Sequence, residues 1–136
     1  MNEDAIDPAN SPITISAWIH TTKDGTIVSR TGIDDDWKPD GVTFFVRDGR
    51  LAFDIGWVGA VEGATPVADG RWHHVAVSFD PDQEEVVLWV DGEEDAVGSL
   101  SPEGSTPENS FQVGFTSDEF PADPWFSGYI DGLRVH

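Results

Sequence analysis

The sequence predicts an all-β fold, a sandwich or a barrel of about nine to eleven short strands. Three observations lead there. Apolar residues recur with a period of two nearly everywhere, and no segment sustains a 3.6-residue pattern. Asp48-Gly49 and Asp91-Gly92, each flanked by β-rich runs, are turn pairs favoured in two-residue hairpins. The 136 residues suit one domain, residues 1–136, able to bury a real core without covalent staples.

The elements follow in order. In SPITISAWIH, Ile13, Ile15, Ala17 and Ile19 alternate with Thr14, Ser16, Trp18 and His20, which reads as a strand with one apolar face. TIVSR, residues 26–30, is a short strand after the Asp24-Gly25 turn. VTFFVRDGRLAFDIGW is a hairpin about Asp48-Gly49. HHVAVSFD places Val75, Val77 and Phe79 on one face. EEVVLWVDGEEDAVG turns at Asp91-Gly92, with Val86, Leu88 and Val90 facing one way. FQVGFTS and WFSGYIDGLRVH supply the last strands, and residues 31–40 and 98–110 are the long polar loops.

Charge narrows the partners. Twenty-six acids against seven bases give −19, and only two of the bases are lysines. Nucleic acid and anionic membrane are disfavoured, because no basic patch exists to release counterions. No apolar run approaches the ~20 residues that span a bilayer, and the first residues, MNEDAIDPANSP, lack a signal-peptide pattern. The acids scatter through turns, which fits a solvated surface and equally a halophilic one, where salt screens self-repulsion. Without cysteine there are no disulfides.

The adjacent histidines of DGRWHHVAVSFD raise the question of a metal or a catalytic base. Neighbouring strand residues point to opposite faces, so His73 and His74 cannot easily share one ion. No Asp, Glu or Cys stands two residues from either on its own strand. The expectation is that this segment packs and hydrogen-bonds.

SPITISAWIHTTKDGTIVSR, DGRWHHVAVSFD, VVLWVDGEE and FSGYIDGLRVH, in that order, resemble a laminin-G-like domain of the concanavalin A-like lectin/glucanase superfamily. The resemblance covers about residues 11–136. It implies a jelly roll, an antiparallel β-sandwich of two sheets, one of them concave. Members usually carry a strand before the ISAW segment, so the expectation is a module excised from a larger protein with that first strand missing. An open sheet edge would then be covered by a neighbouring domain or by self-association.

The glucanases of the superfamily use two glutamates on one strand, and the E-x-D-x-E pattern is absent, as are G-x-S-x-G and H-E-x-x-H. The expectation is therefore no enzyme, but a recognition module of an extracellular or cell-surface protein that binds carbohydrate on the concave sheet or its rim loops. The alternative is a protein-binding adhesion or spacer module. Trp18, Trp72 and Trp89 lie within the shared strand motifs and are expected to pack. Trp37, Trp57 and Trp125 fall where loops meet sheet edges, where a ring can stack on a pyranose or cover the core. Arg47 and Asp54, on the hairpin expected to line the concave sheet, are polar candidates. Related jelly rolls often hold a structural calcium through the aspartate of the final strand, which corresponds to Asp131. An ordinary solvated aspartate is the other reading.

Overall fold

The computed structural model describes residues 12–31, 41–56, 58–102, 110–116, 120, 122 and 125–135. Within them run ten strands: β1 (Ile13–His20), β2 (Gly25–Thr31), β3 (Val42–Arg47), β4 (Arg50–Ile55), β5 (Gly59–Glu62), β6 (Trp72–Asp80), β7 (Glu85–Val90), β8 (Glu93–Ser99), β9 (Ser110–Val113) and β10 (Tyr129–Val135). They form two antiparallel sheets, β10-β1-β6-β7-β8 and β5-β4-β3-β2-β9. This is the jelly-roll sandwich that the alternation and the resemblance led us to expect. Trp37 and Trp57 lie outside the described residues.

The alternation does the folding. On the first sheet Ile13, Ile15, Ala17 and Ile19, then Val75, Val77 and Phe79, then Val86, Leu88 and Val90, all point inward and are buried. Phe44, Val46, Leu51, Phe53 and Ile55 of the second sheet meet them. Phe53 and Phe79 face each other across the layer with ring centroids 5.9 Å apart. Each such side chain contributes roughly 1.5–3 kcal/mol by leaving water. Both hairpin turns have positive φ at both central residues, at Asp48 (54°) and Gly49 (78°) and at Asp91 (52°) and Gly92 (83°), as a type I′ turn requires. The Asp24 carboxylate accepts the Asp48 and Gly49 amides at 2.8 and 2.9 Å, which ties the β1–β2 loop to the β3–β4 turn.

Register shifts interrupt both sheets, in the first also between Leu88 and Trp89 against β8. In β10, Asp131 pairs with Trp18 and Arg134 with Ser16, so β10 spends three steps where β1 spends two. Gly132 sits there at φ 60°, a backbone state that glycine enters without steric cost. The extra residue resets the alternation, so that Leu133 packs against the core and Arg134 faces out. In β2 the shift falls between Thr26 and Val28, and both Ile27 and Val28 enter the core.

The outward face of the second sheet is buried as well. Thr26, Ser29, Thr31, Thr43, Phe45 and Ala52 are all at or below 2% exposure. The chain itself covers them. The Ser29 hydroxyl donates to the Phe115 carbonyl at 2.8 Å, and the Thr43 and Thr116 hydroxyls share a hydrogen bond of 3.0 Å. Phe120 stands edge-on to Phe45, with ring centroids 4.9 Å apart, and packs with Ala52 and Ala122.

Candidate functional site

The outward face of the first sheet is open, and its even-numbered β1 residues occupy it. Trp18 pairs across to His74 on β6 and to Asp131 on β10. One rung further, His20 pairs to Trp72 and to Tyr129. Paired residues project to one side of a sheet, so six side chains form two adjacent rows on a single face. Trp18 is 47% exposed, Trp72 48% and Tyr129 67%. The rings brace one another edge-on: Trp18 with His74 at 5.2 Å, His20 with Trp72 at 5.4 Å and with Tyr129 at 5.8 Å. Trp72 and Tyr129 lie 6.3 Å apart.

Trp18, Trp72 and Asp131 line a shallow depression of about 280 Å³. Small-molecule sites span roughly 300–1,000 Å³, so this shallow depression stands at the small end of that range. One oxygen of Asp131, Oδ1, accepts the Gly132 amide at 2.8 Å, which holds the carboxylate at the bulge.

The expectation that Trp18 and Trp72 pack is corrected by this arrangement. With Ile13, Ile15, Ala17 and Ile19 turned inward, Trp18 must turn out, and with Val75 and Val77 inward the same holds for Trp72. The signal was in the alternation itself. Trp89 is half-buried on the same face, paired with Ala76.

The other candidates sit elsewhere. Arg47 and Asp54 share the outward face of the second sheet, but the Phe45–Ala52 rung between them lies under Phe120. Arg47 pairs with Glu62, its guanidinium 5.4 Å from the Phe45 ring centroid. Asp54 is only 8% exposed, and burial pushes its carboxyl up to about 7 against a weaker opposing pull from Arg47. Trp125 is 63% exposed, its ring 4.2 Å from that of Phe115, on a strand bridge beside the start of β2. Asp131 belongs to the first sheet, apart from the Arg47–Asp54 face.

Calcium needs six to eight oxygen ligands. The described side chains that line the depression with Asp131 are two indoles. Among the described residues no three His, Cys, Asp or Glu gather around a common point.

The histidine pair divides as its strand position requires. His74 joins the aromatic face. His73 instead bridges two carboxylates, Nδ1 to Asp91 at 2.8 Å and Nε2 to Asp69 at 2.9 Å. Since both ring nitrogens face acceptors, the doubly protonated ring satisfies both. Partial burial pulls the His73 pKa down, but the bonds from Asp91 and Asp69 outweigh it and raise it overall. The same bonds hold Asp69 and Asp91 below the usual carboxylate range. Asp91 also accepts the His74 amide at 3.0 Å, so this clamp fixes the β7–β8 turn to the start of β6. Spacing along one strand did not reveal these partners, because they come from the preceding loop and the neighbouring turn.

Comparison with known proteins places the fold. A laminin G family model, described as the concanavalin A-like lectin/glucanases superfamily, matches residues 2–136. Human sex hormone-binding globulin is 38% identical over 43% of this chain and 18% of that protein. Domains LG4-5 of the mouse laminin alpha1 chain superpose with a TM-score of 0.69 at 19% identity, covering 93% of this chain and 36% of that one. The CBM40 of the Ruminococcus gnavus IT-sialidase, bound to alpha2,3 sialyllactose, gives 0.73 at 16% identity, covering 95% and 77%. The chain thus spans about a fifth of the globulin and about a third of the laminin fragment. With a family match over nearly its whole length and the sandwich that match requires, the chain belongs to the concanavalin A-like lectin/glucanases superfamily.

Proposed function

We propose that this domain is a non-catalytic carbohydrate-recognition module, and that its ligand rests on the aromatic face of the first sheet. One observation carries the reading: Trp18, Trp72 and Tyr129 stand half to two-thirds exposed on adjacent rungs, and the two indoles line a depression with Asp131. Leaving three large rings in water on one face is unfavourable unless something covers them. The C–H face of a pyranose suits an indole, and a rim carboxylate suits its hydroxyls. Similarity in fold to a module bound to sialyllactose supports the reading. On this reading the domain works at the cell surface or beyond it, where glycans are presented.

The Arg47–Asp54 face carries less weight in the proposal, because Phe120 already occupies its central rung. Trp125 stands as a second candidate contact on the strength of its exposure. Calcium at Asp131 would need backbone carbonyls to complete its shell, and it has no part in the stacking step.

A glycan array followed by tryptophan-fluorescence titration tests the reading. Trp18→Ala and Trp72→Ala, with circular dichroism unchanged, are expected to lower affinity at least tenfold. A silent array, or binding that survives loss of both indoles, would overturn the proposal.

A further inference from the structure

We infer that the ligand of this face is an uncharged glycan chain of at least two rings, rather than a sialylated or uronic-acid sugar. The inference rests on the carbohydrate reading above and adds the chemical class of the ligand.

Length comes from the register. Trp18 and Trp72 occupy adjacent strands one rung apart, His20 being the direct partner of Trp72. Diagonal neighbours of this kind lie roughly 7–8 Å apart. One pyranose covers one indole, so a single ring cannot stack on both. Tyr129 lengthens the second row, beyond His20 from Trp72. The platform therefore offers two separate stacking surfaces, and a chain that crosses both rows gains from each.

Charge selects against anions. Asp131 closes the depression between the indoles, so a sugar carboxylate stacked on Trp18 would lie beside a fixed negative group. Two like charges a few ångströms apart in water cost about 1 kcal/mol. Arg134, paired with Ser16 one rung beyond, is a nearby cation that works against this repulsion. The whole chain, at 26 acids to seven bases, adds to it. Hydroxyl groups, in contrast, find an acceptor in Asp131 and a donor in Arg134.

The test is tryptophan-fluorescence titration at pH 7, in low salt and in 0.5 M NaCl. The probes are neutral β-linked gluco-, manno-, xylo- and galacto-oligosaccharides of one to four rings, oligogalacturonates of the same lengths, and sialyllactose. At least one neutral series should bind, its three-ring member at least tenfold tighter than its single ring, with affinity nearly independent of salt. The anionic sugars should bind several-fold more weakly in low salt and gain when salt screens the repulsion. Trp72→Ala should erase the gain from length and spare the single ring. Tyr129→Ala, at an exposed edge position that places little demand on folding, should reduce that gain. Tighter binding of the anionic sugars, or a single ring that matches three, would overturn this inference and leave the carbohydrate reading standing. If no sugar of either charge binds, the carbohydrate reading falls, and the inference falls with it.

Discussion

Replacing Asp54 by asparagine should make the protein more stable at pH 8 and leave it nearly unchanged at pH 4. Asp54 is 8% exposed on the covered face of the second sheet, and its carboxyl is raised from 3.8 to about 7. Below pH 3.8 the group is protonated in both folded and unfolded chains and contributes no difference. As pH rises from there to about 7, the unfolded chain releases the proton and the folded one resists, so the fold loses stability. Above 7 the loss is complete. At about 1.4 kcal/mol per pKa unit the ceiling is about 4 kcal/mol. Solvent at the rim screens part of it, which leaves about 2–4 kcal/mol. Asparagine keeps the shape and removes the charge. Urea unfolding of both proteins at pH 4, 6 and 8 measures the difference, and roughly 3–5 °C of Tm should accompany each kcal/mol. Equal stability at pH 8, or a gain as large at pH 4 as at pH 8, would refute the reasoning.

Three other outcomes follow from the same structure. His73→Gln removes the bridge between Asp69 and Asp91, whose histidine pKa is raised, so its contribution is full below about 6.5 and disappears as pH rises through the higher folded value. The variant should lose up to about 1 kcal/mol at pH 5.5 and almost nothing at pH 9 by thermal melts, and a uniform loss would count against the clamp. Phe120→Ala strips the ring from the Phe45–Ala52 rung and should cost about 3–5 kcal/mol, while water reaching Asp54 brings its carboxyl back toward 3.8. Carboxyl NMR titration reads the second effect, and an unmoved Asp54 would show that Phe120 is not its cover. Finally, at −19 the chain should gain several degrees of Tm between low and molar salt, and a flat or falling response would remove the idea of a salt-adapted surface.

Much of the fold was legible because strand alternation is local. Odd positions of β1 carry Ile13, Ile15 and Ile19, and both Asp-Gly turns appear where two β-rich runs meet. The exposure of Trp18 and Trp72 was equally legible, yet their place in shared strand motifs suggested packing, and parity was the better guide. The covering of the second sheet was not legible. Phe115 and Thr116 read as the end of a strand that in fact stops at Val113, Phe120 and Ala122 follow it, and which face they cross depends on the path of the whole chain. Nor could one strand reveal the His73 clamp, since its two carboxylates arrive from other segments. The bulge at Gly132 has a faint local trace in the glycine alone, but which way it turns Asp131 and Arg134 depends on pairing with β1.

Tyr129 and Asp131 ride on β10, which among the described strands is held by β1 alone. One of the three exposed rings, and the carboxylate beside the other two, are thus carried by a strand that peels more readily than those inside the sheet. A ligand that bridges Trp72 to Tyr129 would act as a staple across that seam. By mass action, a hundredfold excess over Kd adds about 2.7 kcal/mol to the folded state. Protection of the β10 amides against hydrogen exchange would then rise on saturation more than that of β7. The last strand of the domain would report occupancy by how firmly it is held.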